Sequence, residues 1–147
     1  MPQFSAEEFW QFSVAHYERP GVKDACLSLQ DSTDADVNLL LLAIWLKKGG
    51  VEIAADTVDN LLATSKHWRT EKIGPLRERR RKEPKASGNY RAFLADELAA
   101  EKGEQFALIK CLNQPDKGGQ SFVDFWDGYS KTLHISAAQK KALIGSF

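Results

Sequence analysis

Residues Leu39 to Leu46 read LLLLAIWL, and no other stretch of the chain constrains its fold as strongly. Eight apolar residues in a row fall well short of the roughly 18 needed to cross a bilayer, so no membrane span is expected. The run is closed by Lys47-Lys48-Gly49-Gly50, where two cations meet the negative end of a helix dipole and two glycines stop the helix. A helix that is apolar on nearly every side needs neighbours all round it. Such a segment predicts a central helix, residues 35–48, inside a bundle.

The rest of the chain supplies the neighbours. No segment alternates strictly between apolar and polar residues, whereas helical spacing of three and four recurs almost throughout, so the fold class is read as all-α with about six to seven helices. Ser5 and Glu8 make a capping box for a first helix over 6–17, with Phe9, Phe12 and His16 on a broad apolar face beside Trp10, Val14 and Tyr17. Pro20 fits the first position of a second helix, with Val22, Cys26 and Leu29 inward. A fourth helix runs from about Asp56 through Leu61 and Trp68; Gly74-Pro75 breaks or kinks it before a basic continuation to about Lys82. After the loop EPKASGN, a long helix over 90–113 places Phe93, Leu94, Leu98, Leu108, Ile109 and Leu112 inward, with Gly103 as a point of bending. NQPDKGG reads as another loop, Ser121 as the opening of a helix through Phe125 and Tyr129, and Ser136 as the cap of a short last helix ending near Ile144. SAEEFW and SFVDFW echo one another, but no sustained period follows, so the echo is read as coincidence. A length of 147 residues suits one compact domain spanning 1–147. The start, MPQFSAEEFW, lacks the basic and apolar regions of an export signal, so a cytoplasmic protein is expected. Cys26 and Cys111 then read as two reduced core thiols.

The segment leading into the apolar run, LQDSTDADVN, gathers Asp31, Asp34, Asp36 and Asn38. With Asp34, Asp36 and Asn38 at positions one, three and five of a calcium loop, Leu39 and Trp45 stand where Gly and Glu are required, and that reading fails. Capping explains more: Thr33 as N-cap with Asp36 closing the box, and Asp34 and Asp36 in the first turn. Asn38 lies in an apolar helix and must find a buried hydrogen-bond partner, with Asp31 or another helix-end group available to it. A divalent ion on Asp31, Asp34 and Asp36 is the weaker alternative.

The run FWQFSVAHYERPGVKDACLSLQDSTDADVNLLLLAIWL, followed by Trp68, PLRERRR and YRAFLADELAAEKGEQ, resembles a family of small uncharacterised bacterial proteins, chiefly proteobacterial, known as a domain of unknown function. Its signature here is FW-x-FS, then ACL-x-LQD, then DVN-LLL-x-x-W. The resemblance covers most of the chain and implies a cytosolic, helical, single-domain protein. It carries over no activity and no catalytic residue.

The motifs of known chemistries are missing from the sequence. His16, His67 and His134 fall on different helices and read as surface or boundary residues; no nucleophile elbow, E-x-x-H pair or glycine-rich phosphate loop occurs. Three Asp-x-x-Asp pairs, Asp31/Asp34, Asp56/Asp59 and Asp124/Asp127, are a weak match to magnesium-holding helices. The residues therefore point away from an enzyme and call for no cofactor.

A formal charge of zero hides an asymmetry: residues 66–91 hold ten Lys or Arg against Glu71, Glu78 and Glu83, an excess of +7 balanced by −7 elsewhere. Arg69, Arg77, Arg79, Arg80, Arg81 and Lys82 form the densest part. Two readings of it stand level: an anion-binding face, or a helix whose arginines pair with Glu97, Glu101 and Glu104. The leading function read from the residues is a non-enzymatic binding or adaptor protein contacting an anionic partner through 69–85, another protein first and RNA second. The rival is a magnesium-dependent enzyme or ligand-binding bundle using Asp31, Asp34 and Asp36.

Overall fold

The computed structural model describes residues 4–115 and 121–145. The fold is all-α: α1 (Ala6–Tyr17), α2 (Val22–Thr33), α3 (Val37–Lys48), α4 (Ala55–Trp68), α5 (Gly74–Arg81), α6 (Gly88–Leu112), α7 (Phe125–Thr132) and α8 (Ala137–Ile144). A π turn, Arg69–Ile73, joins α4 to α5. Helix α3 is the centre, with Leu39 to Ile44 and Leu46 all buried, and it packs against α1, α2, α6 and α7. The hydrophobic cluster spreads from it to Phe9, Cys26, Leu29, Leu61, Leu108, Phe125 and Leu143. No helix among the described residues is long and apolar enough to cross a membrane.

Several local expectations are corrected. Helix α2 begins at Val22 rather than Pro20, because the chain turns through Gly21 in the left-handed region (φ 84°). Thr33 does not cap α3: it is the last residue of α2, and its hydroxyl donates back to the Leu29 carbonyl (2.6 Å). Asp34 takes a left-handed conformation (φ 57°) that ends α2, a role that short polar side chains tolerate. Asp36 is the N-cap of α3, accepting from the Asn38 amide at 3.0 Å. Ser121 does not open α7. Phe122–Val123 form a short strand, β2, antiparallel to β1 (Ile53–Ala54), and Asp124 caps the helix. With that the echo between SAEEFW and SFVDFW disappears at its first residue. Ser136 does close a full capping box with Gln139. The NQPDKGG loop lies partly outside the described residues.

The inner face of α6 also differs from its apolar stripe. Leu94 and Leu98 are exposed, and Glu97, Glu104 and Gln105 are buried in line with Leu108 and Ile109. On α1, Val14 is exposed and His16 is buried, its Nε2 donating to the Leu143 carbonyl at 2.5 Å. Burial, and then the charges of Lys48 and Arg19, outweigh that hydrogen bond and lower the His16 pKa. Cys26 is a buried free thiol pushed up to about 12 by burial, whereas Cys111 is a free thiol only half buried.

Two glycines position the basic segment. A Cβ on Gly74 would lie 2.5 Å from the Arg69 carbonyl oxygen, which the Gly74 amide itself bonds, so the π turn requires glycine there. Helix α6 runs unbroken through Gly103, where a Cβ would meet the Trp68 ring at 2.9 Å. Its lack of a side chain lets Trp68 at the end of α4 approach α6.

Candidate functional site

A cavity of about 410 Å³ opens between α1, α2, α3, α6 and the π turn. Its size is that of a small-molecule site. Trp10, Val14 and Tyr17 of α1 face Leu98 of α6 across it, with Leu27 of α2 beside them. Val14, Leu27 and Leu98 are exposed there, which gives the mouth an apolar rim.

The floor is a buried polar chain built around Asn38. The Asn38 Nδ2 donates to Glu104 Oε1 (2.8 Å) and to the Glu101 carbonyl (2.9 Å), and its Oδ1 accepts from Gln105 Nε2 (3.0 Å). Gln105 Nε2 also donates to Ser13 Oγ (2.9 Å), which in turn donates to the Phe9 carbonyl (2.8 Å). Asp36 stands next to this chain: Ser65 Oγ donates to its Oδ2 at 2.5 Å, and its own amide donates to the Tyr129 hydroxyl at 3.3 Å. With the carboxyls taken as ionised, three side-chain atoms buried around the cavity have no partner among the described residues: Glu104 Oε2, Gln105 Oε1 and Arg69 Nε.

Glu104 is fully buried, and no cation pairs with it among the described residues. Burial first, and then a hydrogen bond and repulsion from Asp36, push its carboxyl up to about 10, with Asn38 and the more distant Arg69 pulling weakly the other way. Burial and Asp36 therefore favour the neutral form of Glu104 at pH 7, the form in which it can donate to Asp36. Burial, together with the Glu97 charge, also raises the Glu101 carboxyl.

The arginines of the basic segment turn inward. Arg77 Nε donates to Glu97 Oε1 at 3.0 Å, and its Nη2 lies 3.6 Å from Glu101. Arg80 also donates to Glu97 and stands over the Tyr90 ring. Burial works against the Glu97 charge, yet the bonds from Arg80 and Arg77 win and hold its carboxyl below the ordinary value. Arg79 pairs with Asp96 (2.7 Å) and covers Phe93. Arg69 Nη1 donates to the Asp34 carbonyl and to its exposed carboxylate. Arg81 and Lys82 are exposed and make no ion pair among the described residues. Of the expected acid partners, Glu97 and Glu101 hold arginines and Glu104 does not.

The aspartate cluster comes apart. Asp36 is buried in the polar floor, while Asp31 and Asp34 are exposed on a second cleft with Arg69, Arg77 and Arg81. Among the described residues no three His, Cys, Asp or Glu side chains are grouped to hold a metal ion. Asn38 has its buried partners, but these are Glu104 and Gln105 rather than Asp31. The sequence reading missed Ser13, Glu104 and Gln105 as site residues. A signal was present, since Glu97, Glu101, Glu104 and Leu108 follow one another at helical spacing and so share a face.

No curated protein and no solved structure matches this chain significantly. One family model matches residues 8–108, described as a protein of unknown function (DUF2390). Every residue lining the cavity lies inside that stretch, whereas β2, α7 and α8 lie beyond it. With its match running over more than half the residues, from α1 into the last turns of α6, the chain belongs to the DUF2390 family of proteins of unknown function.

Proposed function

We propose that this chain is a non-enzymatic binding protein whose ligand is a small organic molecule held in the cavity between α1, α2, α3 and α6. The reading takes residues 1–147 as one working domain and keeps the cytoplasmic setting expected from the sequence. The observation that carries it is the pairing of an apolar mouth with a buried polar floor that keeps unspent hydrogen-bonding atoms. Buried polar atoms without partners cost stability, and a ligand that satisfies them recovers it. The aspartate-magnesium alternative has no matching support, because Asp36 is already bonded to Ser65 and Asn38 while Asp34 holds Arg69.

The test is a fragment screen by ligand-observed NMR against wild type and Val14→Trp, in which the larger side chain fills the mouth. Fragments that bind wild type and are lost from the plugged variant support the reading. A screen without hits, or hits indifferent to the plug, removes it.

A second reading keeps what remains of the basic surface. Arg81 and Lys82 stay exposed while Arg77, Arg79 and Arg80 are taken up by α6, so an acidic protein surface, or RNA after it, would meet a smaller patch than the +7 excess suggested. Capture of a specific partner by wild type but not by Arg81→Glu/Lys82→Glu, with and without nuclease, would support that docking role.

A further inference from the structure

Resting on the cavity reading, we infer that the ligand carries a primary ammonium group, seated between Glu104, Asp36 and the Gln105 side-chain oxygen, with an apolar tail toward the mouth. The argument is a count of donors and acceptors on the cavity floor. Both Asn38 Nδ2 hydrogens are spent, on Glu101 and Glu104, and both Gln105 Nε2 hydrogens are spent, on Ser13 and Asn38. The hydroxyls of Ser13 and Ser65 are spent on Phe9 and Asp36. Once Glu104 gives up its proton, two acceptors are left over, Glu104 Oε2 and Gln105 Oε1, on side chains that are 0% and 1% exposed and line the cavity. One donor is left over as well, Arg69 Nε on the π-turn side, so acceptors outnumber donors.

The amide of Gln105 cannot be turned to remove the deficit. With its oxygen and nitrogen exchanged, the oxygen would face Asn38 Oδ1 and a Ser13 hydroxyl already committed to Phe9. The proton of neutral Glu104 serves Asp36 and leaves Gln105 Oε1 unmet. A primary ammonium brings three N–H donors, enough to satisfy both left-over acceptors.

Charge leads the same way. The charged groups facing Glu104 are Asp36 from the α2–α3 link, Arg69 from the π turn and Glu101 one turn away on α6, with the Tyr129 hydroxyl of α7 behind Asp36. Arg69 Nη1, Arg77 and Arg80 already hold Asp34, Glu97 and Glu101, so an anionic ligand would compete with internal carboxylates and find only Arg69 Nε unspent. A cation meets a carboxyl with no cation of its own. Its arrival ionises Glu104, so that R–NH3⁺ and Glu104–COOH become an ion pair and one proton leaves for solvent. Trp10, Val14, Tyr17 and Leu98 then surround the tail.

The experiment uses phenethylamine, with phenethyl alcohol and 3-phenylpropionate as neutral and anionic probes of similar shape. Binding to the full chain is measured by calorimetry in buffers of different ionisation enthalpy. The amine is expected to bind at least tenfold more tightly than either control and to release about one proton. Its affinity should rise about tenfold per pH unit from pH 7 to 8.5, as linkage requires. Glu104→Gln, which keeps the neutral shape, should weaken amine binding at least tenfold and abolish proton release, with folding confirmed by its unfolding transition. If the alcohol or the acid binds as tightly as the amine and is lost from Val14→Trp, the cavity reading stands and the ammonium inference is overturned. Unchanged amine binding by Glu104→Gln overturns the inference too. If none of the three binds, the inference fails, and the fragment screen decides the cavity reading separately.

Discussion

Replacing Glu104 by Gln in the unliganded protein isolates the cost of keeping a carboxyl in the core. A buried acid whose pKa is raised in the folded state holds a proton that the unfolded chain gives up at about pH 4.3. Between that value and about 10, the native state binds one more proton than the unfolded state, so stability is highest at the acid end and is lost as pH rises. The limiting slope for one proton is about 1.4 kcal/mol per pH unit, or roughly 2 kcal/mol from pH 7 to 8.5. The lowered pKa of His16 confines its effect to the acid side of the window, and Tyr17 and Tyr129, raised to about 12, act only above it. Cys26, whose unfolded thiol titrates at about 8.5, and the raised Glu101 act alike in wild type and variant, so the difference between the two isolates Glu104. The amide introduced by Glu104→Gln would accept from Asn38 and donate to Asp36, replacing both bonds of the protonated acid. Urea unfolding at several pH values should therefore show wild type losing about 2 kcal/mol more than Glu104→Gln across the window. Parallel profiles would mean that Glu104 is ionised in the native state, and the proton shared with Asp36 would have to be abandoned.

Other consequences are open to simpler measurements. Leu40→Ala at the fully buried centre of α3 should cost about 2–5 kcal/mol in urea unfolding; less than about 1 would contradict the central role of that helix. Gly74→Ala forces a methyl group against the Arg69 carbonyl, so it should destabilise by about 1–3 kcal/mol and loosen the Arg69–Asp34 contact, read from the thermal transition and from the Arg69 side-chain NMR signals. With a thiol reagent under native conditions, Cys111 should react first and Cys26 only on unfolding; equal rates would contradict the burial of Cys26.

Much of the fold was legible along the chain because its signals are local. The apolar run with its Lys-Lys-Gly-Gly stop marks α3, the Ser5 and Ser136 caps mark α1 and α8, and Gly74-Pro75 marks the junction that the structure resolves as a π turn. The errors came where two neighbouring signals competed. Thr33 and Asp36 were both good caps, and the left-handed Asp34 between them decides that the first closes α2 while the second opens α3. Ser121 lost its role to Asp124 because β2 pairs with β1, an event between residues about 70 positions apart that no local pattern records. The stripe on α6 was misread for a related reason, since hydrophobicity alone placed Leu94 and Leu98 inside.

Sequence by itself determined an all-α chain wrapped round one apolar helix, and it showed that Asn38 needed a buried partner and that the basic segment faced a choice between α6 and an outside anion. Tertiary structure decided which groups answer them. Glu97 and Glu101 take Arg77 and Arg80, whereas Glu104, one helical step on, pairs with no cation among the described residues and is pushed toward its neutral form by burial and Asp36. A carboxyl's charge and hydrogen bonds depend on what is packed within a few ångströms of it, and that neighbourhood is assembled from α1, α3, α6 and the π turn, segments that lie far apart along the chain.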